Sequence, residues 1–255
     1  MLGYDFSNWT GITAAHHAEV TWGKIISPRT ATRALLRQGL SKVRPRPVPA
    51  LADPEWQQRF FDELRPRLQA AGPDDHYLFL DACTVQRQAT LTRLWWVKGE
   101  QPQVKMEGFG DRQHVYGVLD PARSEFHFKF AGGVDSREFC LFLDGLRCLY
   151  PSGHLFIVLD NAPAHHSQVT LAYVESLGDR IKLLYLPPYS PKLNPIEKFW
   201  KYLRQQVTHN TYFATHDEFK FRLLKFLVQH TEPRAELVPF SEIYYRNDPI
   251  SVLAL

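Results

Sequence analysis

The chain has 255 residues, 44% of them apolar and 22% charged, a balance that supports a buried core and argues against global disorder. Fourteen glycines and eighteen prolines exclude a fibrous or low-complexity protein, and a formal net charge of only +3 argues on its face against strong nucleic-acid binding. That average hides an uneven distribution: residues 1–50 carry seven Lys/Arg against two Asp/Glu, 51–72 carry three against four, and 73–255 carry twenty against twenty-one.

The first predicted helix spans 7–22, with Ser7 as cap, Trp9, Ile12 and Val20 as an apolar side, and Gly23 as its stop. A second helix opens at Ser27-Pro28, where Ser suits the N-cap and Pro the first helical position, and Gly39 suits a left-handed stop. Arg29, Arg33 and Arg37 fall on its exposed side, so the pair reads as a helix-turn-helix. An ordinary helical hairpin with a solvated basic face remains the alternative. Residues 41–54 read as a linker, because Pro45, Pro47, Pro49 and Pro54 remove amide donors and hold the chain extended. Lys42, Arg44 and Arg46 make it basic, and Arg44-Pro45-Arg46 suits a DNA minor groove as well as a plain spacer.

A mixed-charge helix is predicted over 55–70, packing on the domain after it. The period then changes. Apolar runs predict strands at Tyr77–Asp81, Val115–Leu119, Phe126–Phe130, Leu155–Asp160 and Ile181–Leu186. Helices are predicted over 135–150, 167–177, 194–208 and about 216–230, the last opened by a Thr215/Glu218 capping box. Strands followed by alternating helix and strand indicate an α/β domain with a mixed sheet.

Cys83, Cys140 and Cys148 are too few and too widely spaced for a disulfide framework or a thiolate zinc site, and read as core thiols of a reduced cytosolic protein. His16-His17 and His165-His166 lack zinc-hydrolase spacing. The N-terminus has no signal-peptide pattern and no stretch reaches membrane-span length, so a soluble intracellular protein is expected, with no membrane partner.

The chemistry concentrates in carboxylates. Asp81 and Asp160 each close an apolar strand, and strand ends are where open α/β sheets place ligands. Two desolvated carboxylates there would repel unless a cation joined them, and hard oxygen donors favour Mg²⁺ or Mn²⁺. The alternative, a simple turn cap, is the lesser reading of each Asp. Glu197 lies three residues after Asn194 in Leu186-Pro187-Pro188-Tyr189-Ser190-Pro191-Lys192-Leu193-Asn194-Pro195-Ile196-Glu197. It either closes a capping box on Asn194, pairs with Lys201, or is aimed at the strand ends; spacing alone leaves these open. Lys192, Lys198, Lys201 and Arg204 surround it as candidate phosphate contacts or as a solvated face.

From about Tyr77 to Phe213 the chain resembles the catalytic domain of bacterial mariner-like insertion-sequence transposases, the IS six-thirty group of DDE endonucleases. The match rests on Phe79-Leu80-Asp81, on Val158-Leu159-Asp160-Asn161-Ala162-Pro163-Ala164-His165, and above all on the Leu186–Glu197 block with Trp200. The 36 residues between Asp160 and Glu197 fit that family's spacer, and residues 1–50 resemble its second helix-turn-helix and Arg-Pro linker. The resemblance implies an RNase H-like mixed sheet flanked by helices, preceded by a small helix-turn-helix segment. It implies a partial DNA-binding segment at 1–40, a basic linker at 41–54, a catalytic domain at 55–213 with its core at 76–209, and a C-terminal helix and tail at 214–255. Asp81, Asp160 and Glu197 become the metal-binding triad, with Asn161, His165 and Asn194 as neighbours.

On the same resemblance, two Mg²⁺ ions, replaceable by Mn²⁺, serve DNA cleavage at transposon ends and strand transfer into target DNA. Asp81 bridges the ions, and Asp160 and Glu197 complete one site each. His165 either contacts the scissile phosphate or positions Asp160. A homodimer on paired terminal repeats and a nucleoid-associated place in a bacterial cytoplasm are expected. The family usually carries a further helical module ahead of the segment matched at residue 1, so a shortened end-reading part is expected here. Glu often follows the first aspartate, where this chain has Ala82. Two other readings stay open: an inactive DNA-binding remnant, and an RNase H-type nuclease acting on RNA hybrids.

Overall fold

The computed structural model describes residues 8–43, 50–107, 110–234 and 237. The chain divides into two compact units, Met1–Val48 and Pro49–Leu255. Arg44, Arg46, the cap expected at Ser7 and most of the expected C-terminal tail lie outside the described residues.

In the first unit α1 (Gly11–Trp22) and α2 (Pro28–Arg37) pair. Thr10 caps α1 through a reciprocal box with Thr13, so the described helix starts later than the sequence suggests. Gly23 ends it in the left-handed region, φ 64°. Ser27 caps α2 and Pro28 opens it, as expected. The expected apolar side of α1 is not its packing side: Ile12 and Val20 are exposed, while Ala18 and Ala31 are buried. Small residues let the helices approach. A Cβ on Gly11 would sit 2.3 Å from Thr32 Oγ1 and 2.5 Å from the Pro28 carbonyl oxygen.

The second unit begins with α3 (Pro54–Gln69), capped by Asp53, so the linker ends one residue earlier than expected. Among the described residues its strands form a five-stranded mixed sheet ordered β3-β2-β1-β4-β5. These are β1 (Asp75–Gln86), β2 (Arg112–Asp120), β3 (Glu125–Ala131), β4 (His154–Leu159) and β5 (Ile181–Tyr185). β1 pairs antiparallel with β2 and parallel with β4. The helices are α4 (Ser136–Leu149), α5 (Gln168–Ser176), α6 (Ile196–Val207) and α7 (His216–Val228). Thr215 caps α7, but the Glu218 carboxylate accepts from the Ala214 amide, one residue beyond the expected box.

Alternation sorts each strand into two faces. Leu78, Leu80, Tyr116, Val118, Ile157 and Leu159 pack against Phe139, Phe142 and Leu143 of α4. Phe79, Val85, Val115, Leu119 and Val158 pack against Phe61 and Leu64 of α3, Phe199, Trp200 and Leu203 of α6, and Phe219 and Leu223 of α7. The same period of two assigns Asp81 and Asp160 to the α6 face. β1 is longer than its apolar run and carries Asp81 in its interior, not at its end. Of the expected core thiols, only Cys83 is buried; Cys140 is half-buried and Cys148 exposed. No helix among the described residues is long and apolar enough to cross a membrane.

Candidate active site

The last parallel pair between β1 and β4 is Phe79 with Val158. The same register carried two residues further sets Asp81 against Asp160, at the point where β1 parts from β4 and continues beside β2 alone. Glu197 enters from the first turn of α6. All three acids line one open cavity of about 410 Å³, walled by Asn161, Ala162, Leu186–Pro191 and Asn194.

The capping-box reading of Glu197 fails. Pro195 is the N-cap of α6 and makes no side-chain cap bond. Asn194 is buried; its amide donates to the Leu80 carbonyl at 3.0 Å, and its Oδ1 meets the Ile196 amide at 3.4 Å. Glu197 forms no ion pair with Lys201 among the described residues. The cation whose field reaches it is Arg204, two turns along the same helix face. Arg204 donates to the Cys83 Sγ at 3.4 Å, beside Asp81 on the same face of β1.

The turn reading of Asp160 holds and coexists with its place in the cavity. Its Oδ1 accepts the Ala162 amide at 3.1 Å, while the His165 Nδ1–H meets the Asp160 backbone carbonyl at 3.1 Å and lies the same distance from Oδ1. His165 is buried, with its ring 4.5 Å from that of Phe139. Its bond to Asp160 is the first cause holding that carboxyl below its ordinary pKa. Asn161 donates to the Leu186 carbonyl and accepts from His166. It braces the Asp160 turn against the Pro-Pro-Tyr-Ser-Pro loop. Gln57 of α3 holds that loop through Ser190 at 2.9 Å. Tyr189 at its tip has a left-handed backbone, φ 56°, and an exposed ring.

Asp81 is the perturbed member. Burial first, then the Glu197 charge, pushes its pKa up to about 7, against a hydrogen bond from its own strand and one from Trp200. Burial also raises Glu197, opposed by Arg204. Among the described residues no cluster of three or more His, Cys, Asp or Glu side chains is gathered tightly enough to hold a metal ion unaided. The donor chemistry nonetheless fits a hard divalent cation: three carboxylates face one cavity, and their mutual repulsion is what such a cation offsets.

Two residues have roles at this site that the sequence does not show. Trp200 belongs to the matched block as an apolar ring, yet its indole Nε1 donates to Asp81 Oδ2 at 2.9 Å. Gly117, opposite Asp81 on β2, carries no signal of its own. Of the basic candidates, Lys192, Lys198 and Lys201 are exposed around the entrance to α6. Arg29, Arg33, Arg37 and Lys42 are exposed in the first unit.

The family described as DDE superfamily endonuclease matches residues 76–220, and that described as winged helix-turn helix matches residues 5–64. An insertion element IS630 uncharacterized 39 kDa protein of Shigella sonnei is 22% identical over 211 residues, 82% of this chain and 61% of that protein. The uncharacterized protein y4pE/y4sA of Sinorhizobium fredii is 32% identical over 72 residues, 28% of this chain and 50% of its own length. The chain therefore spans less than two thirds of either curated relative. Among solved structures, the Mos1 mariner paired end complex with Mn superposes with a TM-score of 0.69 at 17% identity, covering 96% of this chain and 75% of that one. The corresponding complex with Mg gives 0.67 at 15%, covering 96% and 74%. The fold is thus that of a mariner transposase, the RNase H-like sheet that the sequence predicts. With more than half its length matched by the family, and with the helix-turn-helix match ahead of it, the chain belongs to the DDE superfamily of endonucleases, with IS630 and mariner-type relatives.

Proposed function

We propose that this chain is a DDE transposase that cleaves DNA at the ends of a mobile element and joins them to target DNA with the help of divalent metal. The observation that carries the proposal is the convergence of Asp81 from β1, Asp160 from the turn directly after β4 and Glu197 from α6 on one open cavity. Convergence of carboxylates from three separate elements is what metal-assisted phosphodiester chemistry needs. Asp81, Asp160 and Glu197 would hold two Mg²⁺ ions, with Mn²⁺ an acceptable substitute. The ions supply activation of a water or 3′-hydroxyl nucleophile and stabilise the departing oxygen.

The chain's own residues prepare that site. His165 fixes Asp160 in its turn, and Asn194 ties the start of α6 to β1. Arg204 brings a half-buried cation near Glu197, and Lys192, Lys198 and Lys201 present exposed cations beside it; together they suit phosphate oxygens. We read residues 1–40 as a DNA-gripping helix pair and 41–54 as a basic linker. Residues 55–213 are read as the catalytic domain, with its core at 76–209, and 214–255 as a C-terminal helix and tail. The exposed Arg29, Arg33 and Arg37 on α2 support DNA as the partner. A homodimer across two transposon ends, in the nucleoid of a bacterial cytoplasm, completes the proposal.

The test is nicking of supercoiled plasmid by the purified protein with Mg²⁺. Cleavage is expected for the wild type and not for Asp160→Asn. Equal cleavage by both would remove the triad assignment. Metal-independent DNA binding without cleavage would return the chain to the status of an inactive remnant.

A further inference from the structure

We propose that Trp200 is a positioning residue for Asp81, and that Gly117 is the space that lets it act. The inference rests on the reading of Asp81 as a metal-holding carboxylate. An indole N–H only donates, and a buried one needs an acceptor. Trp200 is 1% exposed, and the acceptor it finds is Asp81 Oδ2 at 2.9 Å. That bond holds Oδ2 from the core side, beside a hydrogen bond from the Ala82 amide, while the residue lines the cavity. It fixes the carboxylate's rotation and stabilises its charged form in a place where burial opposes charge.

The indole is itself packed against two aromatic rings. Phe126 meets it edge-on, with ring centroids 5.5 Å apart at 88°, and Phe199 packs 5.6 Å away. Phe126 in turn stacks on Phe199 at 4.0 Å. Directly opposite Asp81 on β2 stands Gly117. A Cβ there would fall 2.5 Å from Trp200 Cη2 and 2.6 Å from Phe126 Cζ. Contacts that short do not occur, so any side chain at 117 must move the indole or the phenyl ring. Gly117 has no left-handed backbone to explain it among the described glycines. Its role is clearance for the ring that holds Asp81.

The geometry therefore assigns one job to two residues far apart in sequence, and two unlike substitutions address it. Trp200→Phe removes the donor; Gly117→Ala keeps every donor and displaces the ring. Groups that orient a metal ligand from behind are worth about 10- to 100-fold in metal affinity. The experiment measures Mn²⁺ binding by the full chain, by calorimetry and by the free-Mn²⁺ electron paramagnetic resonance signal, beside thermal melts in EDTA. Both variants are expected to melt cooperatively in EDTA, to keep wild-type DNA affinity without metal, and to bind Mn²⁺ about 10- to 100-fold more weakly.

If Trp200→Phe fails to fold, Trp200 is replaced by benzothienylalanine, which keeps the bicyclic shape and puts sulfur where the N–H was. The same loss of Mn²⁺ affinity is then expected. Wild-type Mn²⁺ affinity in a folded variant lacking the N–H would overturn the proposal, leaving Trp200 as core alone. Absence of Mn²⁺ binding by the wild type would overturn it together with the reading of the site on which it rests.

Discussion

Asn194 donates its side-chain amide to the carbonyl of Leu80 at 3.0 Å, joining the turn before Glu197 to the residue before Asp81. Leu80 lies just past the last β1–β4 pair, where the parallel ladder has ended. The amide thus satisfies a buried carbonyl and sets the distance between two of the three acids in a single bond. Asn194→Ala leaves that carbonyl unpaired, at a cost of about 1–3 kcal/mol. For a unit of this size the melting temperature should fall by several degrees, roughly 2–4 °C per kcal/mol. Plasmid nicking should fall further than stability explains, measured at a temperature where both proteins are folded.

Asp81 gives a prediction in pH. Its pKa is about 7 in the fold against an ordinary 3.8, so the folded chain keeps a proton that the unfolded chain releases as pH rises. Metal-free stability from this group is full below about pH 4 and is lost as pH climbs through about 7. Asp81→Asn removes that loss. Without metal, the variant should melt higher than wild type at pH 8, with the difference closing towards pH 4, and it should not nick DNA. A variant less stable than wild type at pH 8 would contradict the buried-charge account. Asp160 titrates the other way: its contribution is present above its ordinary pKa and lost in acid.

His165→Ala removes a buried ring from Phe139 and the Nδ1–H that holds Asp160. Loss of packing and of a charge-assisted hydrogen bond together should cost about 2–4 kcal/mol. Mn²⁺ binding should weaken with it, read by calorimetry below the melting transition. Unchanged metal affinity would confine His165 to packing.

The exposed arginines of α2 give a prediction in salt. Replacing Arg29, Arg33 and Arg37 by Ala should lower the slope of log affinity against log salt for duplex DNA by at most about 2.7, about 0.9 for each phosphate no longer neutralised. An unchanged slope would make α2 a solvated face.

Much of this site is legible in the sequence because its acids follow apolar runs and a proline-braced block with few other uses. β4 and β5 match their apolar runs within a residue; β4, inside the sheet, reads as continuous hydrophobicity, while β5 at the edge keeps its apolar run around the exposed Lys182. β1 outruns its apolar signal because Thr84 and Gln86 break the run where the strand exposes one edge of its pleat. The choice between capping box and active site at Glu197 is out of reach of spacing. It depends on where the Asn194 amide points, and that depends on Leu80, 114 residues away. Trp200 is hidden by its own apolarity, since a ring that fills a core and donates one hydrogen bond leaves the same mark as one that only fills. Gly117 is invisible for the complementary reason: its meaning lies in the ring opposite. In α1 large apolar residues suggest the wrong packing side, because contacts through glycine and alanine bring helices closest and leave little hydrophobic signal.

The parallel pairing of β1 with β4 also sets an order of events. Asp81 and Asp160 are 79 residues apart, and Glu197 lies a further 37 beyond. Contacts of that span close late, after local helices have formed. During synthesis the basic helix pair emerges before the sheet, and α6 must leave the ribosome before the acidic centre exists. On the proposed reading, grip precedes blade. A growing chain can hold DNA but has nothing to cut it with, and a chain stopped short of Glu197 is a competitor for binding sites and not a nuclease.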